Sequence, residues 1–374
     1  AISVQTWFES VSGYGGEGDH YYSELEGDDV LPDVFVGRLS CRSTSELTTI
    51  VDKIVTYETM PPTEDAGWFT RAALASDRSA SGITTIYINQ WLKAQLEATG
   101  FAQVDTIWSG DFASQMYASL NQGLSVFTYR GFLGMSGFHN GHINGATNGD
   151  KLPFALFPTC DSGSWASELS ARNETFLRTP GGGAIGAVAL ATLGTHTRYN
   201  NCLFHGIGEA AVNGSDHRLG VAQAGGKLEL FAQYQVAEPH IVEIWSVWSS
   251  LIGDPATDLW LSYPTTLTVT HPAALPLAAA AVPVTVLHEG QPVADAVVTA
   301  YKAGEIRVSG TTDEAGQVTL ALPGQTAGSL LVTVWGHGLM PYRGSLTLGQ
   351  VDQFVGLLQT EVDDDAGPGG TGNG

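Results

Sequence analysis

Two regimes of hydrophobic patterning divide the chain. From about residue 33 to residue 263, short apolar runs alternate with longer amphipathic ones; from about 264 to 360 the pattern is β only. In the first regime, residues 33–39 (DVFVGRL) predict a buried strand and residues 43–58 a helix. Ser43 and Glu46 have the spacing of a capping box, and Leu47, Ile50, Val51, Ile54 and Val55 recur at intervals of three and four. Further strands are expected over 71–76, 104–108, 125–130 and 154–159, with helices over 84–99, 113–122 and 168–178. Gly100 stops the second of the helices. Residues 184–191 (AIGAVALA) are apolar on both faces, as an interior parallel strand must be. A helix of the 241–252 type completes the unit, and His205 falls within another. Strands alternating with helices imply a mostly parallel sheet covered on both faces. Ligands of such sheets sit beyond the carboxyl ends of the strands.

In the second regime, strand-like segments at 282–287, 296–302, 317–322 and 330–335 are separated by turn signals such as Glu289-Gly290 and Pro323-Gly324. This predicts a small Ig-like sandwich. The organisation expected is therefore an α/β domain over residues 1–263, a β-sandwich over 264–360, and a Gly/Asp-rich linker over 361–374. The first clear strand follows a loop-like stretch rich in Gly and acidic residues, 13–29. A doubly wound domain ordinarily opens with strand, helix, strand. Either this fold starts differently, or an opening portion is missing or sits on a separate chain that completes the sheet.

Composition narrows the partners. Lys and Arg total 16 against 38 Asp and Glu, a net charge of −22. Phosphate binding needs a basic surplus, so nucleic acid is excluded as partner, as is docking on an anionic membrane. No apolar run reaches the length of about 20 residues that spans a bilayer. The stretch 275–287 is too short and carries Pro283. No signal peptide opens the chain, which fits a cytosolic protein or the mature piece of an exported one.

The three cysteines, Cys41, Cys160 and Cys202, cannot all pair, so one could be a free reactive thiol. Cys160 ends an apolar strand and is followed by Asp161-Ser162-Gly163-Ser164. A thiol on a small-residue turn at a sheet's carboxyl edge is placed as a nucleophile, with backbone N–H groups of the turn to hold an oxyanion. The bland alternative is a buried, inert cysteine. A nucleophilic Cys needs a base, usually His. The loop after strand 125–130 carries His139 and His142, and the loop after strand 184–191 carries His196. Asp19, Glu24, Glu26, Asp28 and Asp29 crowd one Gly-containing loop. Clustered carboxylates can hold Ca²⁺, although the spacing is not that of an EF-hand and a solvated acidic loop is the plainer reading.

The stretches GDHYYSELEGDDVLPDVFVGRLSCRS, VDKIVTYE, GLSVFTYRG, LPFALFPTC, GGGAIGAVALAT and WSSLIGDPATDLWLS, in that order, resemble the gingipain-type cysteine peptidases, peptidase family C25. The resemblance covers residues 18–358. It implies a caspase-like α/β/α sandwich followed by an Ig-like domain, secretion or attachment to a cell surface, a protein or peptide substrate, and bound Ca²⁺ without an organic cofactor. Cys160 matches the nucleophile without a gap, with Gly131, Cys160 and Asp161 as the implied oxyanion donors. Substrate contacts are implied for Asp19, His196 and Arg198, and metal ligation for Asp19, Glu24, Asp28 and Asp29.

One family position departs. Where the family has Tyr-x-Gly-His-Gly, this chain reads Tyr129-Arg130-Gly131-Phe132-Leu133-Gly134. Phe132 stands where the general base belongs, and Phe cannot move a proton. The expectation is a cysteine endopeptidase whose base is His139, His142 or His196. Its rival is a catalytically silent surface or assembly protein on the same fold.

Overall fold

The computed structural model describes residues 5–166, 170–324 and 326–349. Contacts divide the chain into two units. One runs to Thr266 and takes in His337–Pro341; the other comprises Leu267–Gly336 and the residues from Tyr342 onward. The expected linker, 361–374, lies outside the described residues.

The first unit opens with a hairpin, β1 (Trp7–Val11) and β2 (Tyr14–Gly18). Next come α1 (Thr44–Thr59), β3 (Arg71–Ser76), α2 (Arg78–Ser81), α3 (Thr84–Ala98), β4 (Gln103–Ile107), α4 (Phe112–Gln122) and β5 (Val126–Arg130). They are followed by α5 (Asn140–Asn144), β6 (Phe154–Phe157), α6 (Arg172–Arg178), β7 (Gly186–Leu190), α7 (Thr197–Val212), α8 (Leu219–Tyr234), α9 (Pro239–Trp248) and β8 (Ser249–Ile252). A six-stranded sheet runs in the order β4-β3-β5-β6-β7-β8. Every pairing in it is parallel except β7 with β8. The interior strands β5, β6 and β7 are buried along their whole length, which is why they read as continuous apolar runs. Phe127, Phe157 and Phe176 fill the space beside them, Phe127 and Phe157 meeting edge to face at 5.4 Å.

Ser43 caps α1 as its spacing predicts, accepting from the Glu46 N–H at 3.1 Å. Its buried face is narrower than expected: Ile50, Ile54 and Tyr57 are buried, whereas Leu47, Val51 and Val55 are exposed. Lys53 shares the buried face, its Nζ donating to the carbonyls of Phe176 and Leu177 at the end of α6.

Three local expectations change, and one helix was not expected. Residues 33–39 form no strand; Arg38 alone bridges to Ile252, its N–H donating to Leu251 O and its carbonyl accepting from Gly253. The segment follows the outer edge of β8, where one residue reaches bonding register. The glycine-rich opening is a hairpin rather than a loop. A side chain at Gly16 or Gly18 would put its Cβ within 1.8 Å of Ala191 O or 1.7 Å of Val247 O, so glycine is what lets the hairpin lie against the rest of the unit. The helix expected to reach residue 252 ends at Trp248, because Ser249–Ile252 takes up the free edge of β7. Helix α8 carries Gly225 and Gly226, which hide its periodicity. A Cβ on the facing Gly206 would lie 2.4 Å from Gly225 O, so these glycines permit close packing of α7 on α8.

The second unit contains β9 (Thr268–Thr270), β10 (Ala274–Pro276), β11 (Ala281–His288), β12 (Gln291–Pro292), β13 (Val297–Lys302), β14 (Ile306–Thr311), β15 (Gln317–Ala321), β16 (Gly328–Trp335) and β17 (Tyr342–Gly349). They form two sheets, β10-β17-β16-β13-β14 and β12-β11-β15, with β9 also on β11. Val282, Val284 and Val286 are buried at period two, as are Val298 and Ala300, and Val332 and Val334. This is the sandwich that the second regime predicts.

Candidate active site

The parallel strands β3, β5, β6 and β7 end on one edge of the sheet, and the chain leaving each end supplies the site. Beyond β6, Cys160 is 7% exposed. Its turn is tied from several sides. Thr159 Oγ1 donates to Gly131 O at 2.9 Å, and Ser162 Oγ donates to the carbonyls of Phe157 and Thr159 at 2.8 Å each. Asp161 sits at φ +50°, a left-handed conformation uncommon for a side-chain-bearing residue, which turns the chain sharply after the cysteine. Gly131 is required beside it, because a Cβ there would come 2.2 Å from Tyr129 Oη.

Among the described residues, the hydrogen-bond partner of Cys160 Sγ is Thr195 Oγ1, at 3.0 Å. Asn200 Nδ2 donates to the same oxygen at 2.8 Å, and Trp245 Nε1 donates to Asn200 Oδ1 at 2.9 Å. With one lone pair of Thr195 taken by Asn200, the hydroxyl is free to donate to the sulfur.

The three expected histidines do not reach that sulfur. Each caps a helix instead. His139 Nδ1 accepts from Gly141 N–H at 3.1 Å, His142 Nδ1 from His139 N–H at 3.2 Å, and His196 Nδ1 from Arg198 N–H at 3.2 Å. A neutral imidazole that accepts at Nδ1 carries its hydrogen on Nε2, so its one free lone pair is engaged with backbone. Their loops begin helices α5 and α7, and an N-terminal N–H needs an acceptor. Phe132 is 51% exposed.

A cleft of about 580 Å³ adjoins the cysteine's turn, lined by residues that include His139, Asn140, Asp161, Ser164 and Arg172. Arg172 spans it, Nε donating to Phe138 O at 3.1 Å and Nη1 to Asp161 O at 3.4 Å. Glu17, from the hairpin, accepts from Ala166 N–H at 2.7 Å, and burial pushes its carboxyl above the usual range.

Several expected binding residues are committed elsewhere. The Asp161 N–H donates to Thr192 O at 2.7 Å, so it is not available to an oxyanion. Asp19 is buried, and both its oxygens are held by Arg38, Nε to Oδ2 at 2.6 Å and Nη2 to Oδ1 at 2.7 Å. It faces a guanidinium of the protein rather than substrate or metal. Glu24 lies 3.3 Å from His20 Nε2, Asp29 Oδ1 accepts from Leu31 N–H, and Asp28 is exposed. Among the described residues no three His, Cys, Asp or Glu side chains converge as a metal site. Arg198 pairs with Glu238 at 2.7 Å and lies over the Tyr199 ring.

The sequence reading missed Arg130, Thr195, Asn200 and Asn201. Arg130 is fully buried at the end of β5, where Nε and Nη2 donate to Asn201 Oδ1 at 3.1 and 2.7 Å and Nη1 donates to Pro158 O. An arginine closing an apolar interior strand (SVFTYR) was the available signal.

The model of Peptidase family C25 matches residues 3–260. Gingipain R1 of Porphyromonas gingivalis is 25% identical over 342 residues, covering 86% of this chain and 33% of that protein. Gingipain R2 of the same organism is 24% identical over 277 residues, covering 69% of this chain and 37% of its own length. This chain thus spans about a third of the curated relatives. Among solved structures, the Arg-specific cysteine proteinase gingipain R superposes with a TM-score of 0.79 at 21% identity, over 91% of this chain and 81% of that one. The mature domain of Porphyromonas gingivalis RgpB in complex with its pro-domain superposes at 0.77, with 21% identity, over 89% of this chain and 81% of that one. These likenesses establish a shared fold. The family match extends over more than half the chain and includes the strand ends and the cysteine turn just described, and so the chain belongs to peptidase family C25.

Proposed function

We propose that the protein is a gingipain-type cysteine endopeptidase, with Cys160 as nucleophile and slow intrinsic turnover. The observation that carries this reading is the placement of the sulfur. It sits at the carboxyl end of an interior strand, beside an open cleft, with the Thr195 hydroxyl 3.0 Å away. Sγ attacks the scissile carbonyl carbon, the S–C bond forms, and the carbonyl electron pair moves to oxygen. The N–H groups of Gly131 and Cys160 are the assigned oxyanion donors. Collapse breaks the C–N bond, the amine leaves with a proton from water, and a second water hydrolyses the thioester. Histidine assistance in such steps supplies about 10²–10⁴-fold, so its loss predicts slow cleavage. In this reading the protein is secreted or held at a cell surface, and its substrate is an extended polypeptide.

Phe132 favours a second reading, in which the cleft binds polypeptide without cutting it. Digestion of an unbiased peptide library under reducing conditions, with wild type and Cys160→Ala, separates the two. Cleavage by wild type that disappears in Cys160→Ala supports the peptidase. Equal absence of cleavage in both folded proteins overturns it and leaves the binding reading.

A further inference from the structure

Arg130 is 0% exposed, and among the described residues its guanidinium donates to neutral acceptors, the Asn201 amide oxygen and the Pro158 carbonyl. No carboxylate pairs with it among the described residues, whereas Arg38 and Arg178 are held by Asp19 and Glu174. A buried cation without a counter-charge is costly. Its surroundings lead to the nucleophile. Pro158 stands two residues before Cys160, and Asn201 adjoins Asn200, which holds the Thr195 hydroxyl bonded to Sγ.

We propose that Arg130 is the positioning cation of the nucleophile: its buried charge takes the place of the histidine that Phe132 removes, and holds the Cys160 sulfur as the attacking anion. This rests on the reading of Cys160 as nucleophile. The sulfur loses its proton to water, and the guanidinium, which keeps its own proton, balances the charge left behind. Burial lowers the Arg130 guanidinium only to about 10, so it remains a cation at neutral pH. Tyr129 is the titratable group that faces Arg130 beside Cys160, with Asp77 next to Tyr129, while Asp161 follows the cysteine in the chain and faces Arg172 and Glu17. Of these, Asp77 is occupied by Ser79 and Ser136. Arg130 acts through sulfur and touches no substrate.

The test is the pH profile of Cys160 alkylation by iodoacetamide, read site by site by peptide mass spectrometry, with Cys202 and an unstructured cysteine peptide as references. The expected result is alkylation of wild-type Cys160 at about pH 6.5 at least tenfold faster than the peptide, whose thiol ionises near pH 8.5. Arg130→Met should lose that excess. Should Arg130→Met fail to fold, Asn201→Asp decides: it keeps an acceptor for the guanidinium while supplying the missing counter-charge, and should slow alkylation about tenfold at the same pH. Wild-type alkylation no faster than the peptide overturns the proposal, as does an unchanged profile in folded Asn201→Asp. Alkylation needs no peptide turnover. An intact profile with no library cleavage would therefore defeat the peptidase reading and leave Arg130's role standing.

Discussion

Two of the first unit's buried cations, Lys227 and Arg130, are answered differently by their neighbours. Around Lys227 the polar groups close on one another. Its Nζ lies 2.9 Å from His20 Nδ1, His20 Nε2 donates to Val30 O at 2.9 Å, and Asp19 and Arg38 pair alongside. The two cavities flanking it measure only about 10 and 20 Å³, room for a single water at most. Around Arg130 the charge meets only neutral oxygens, and the cluster leads to a cysteine beside an open cleft. At Lys227 the neutral His20 imidazole takes the ammonium's contact, with the Glu24 and Asp19 carboxylates within electrostatic reach, and this closed cluster holds the opening segment onto α8. A centre left unmatched has charge to spend on a reacting group.

The sharpest way to break this comparison is to restore what the cysteine centre lacks. Phe132→His should raise kcat/KM on a peptide drawn from the library by about 10²–10⁴-fold, with little change in stability because Phe132 is half exposed. An unchanged rate would mean that position 132 no longer faces the sulfur. On the structural side, Asp19→Ala should cost about 3–5 kcal/mol in urea unfolding, since it strands the Arg38 guanidinium. The same variant should leave Cys160 alkylation unchanged; altered alkylation would couple two centres that are here treated as separate.

The next effect is a pH dependence. Burial and the neighbouring Lys227 charge push His20 down from 6.5 to about 2, and burial pushes Lys227 from 10.5 to about 7. In both windows the unfolded chain binds more protons than the folded one, so stability rises with pH, from about 2 to 6.5 and again from about 7 to 10.5. Lys227→Met should remove up to about 1.4 kcal/mol per pH unit from the upper slope. Lys53, pushed to about 7 in the same way, should keep its own share. An upper slope unchanged in Lys227→Met would show that folded Lys227 keeps its proton across that window, against the downward push of burial. The smallest expected effect is Thr195→Val, at about 1 kcal/mol of stability from one neutral hydrogen bond. A much larger loss would assign the threonine to folding rather than to orienting the sulfur.

Elements whose signal is local were legible. Strand β3 appears where its RAALAS run predicts, and α1 begins at the Ser43 cap. Cys160 could be singled out because an apolar strand ending in a thiol and a small-residue turn is a pattern of neighbours in the chain. The misreadings share one cause. The β1–β2 hairpin, the strand Ser249–Ile252 and helix α8 are stabilised by partners far away in sequence, and their glycines and short runs have no local rationale. Histidines within reach of a thiol in a linear reading became helix caps, because a backbone N–H two residues away offers a bond that a distant sulfur does not.

The sequence by itself determined the alternation of strands and helices, the β-only second unit, the cysteine and the departure at Phe132. These are properties of residue type and spacing. Tertiary structure alone decided which charges are matched. Asp19 with Arg38, and Arg130 with no carboxylate among the described residues, are settled when the end of β2 meets the 33–39 segment and β5 meets α7. Charge compensation depends on distance and burial, and neither is written along the chain.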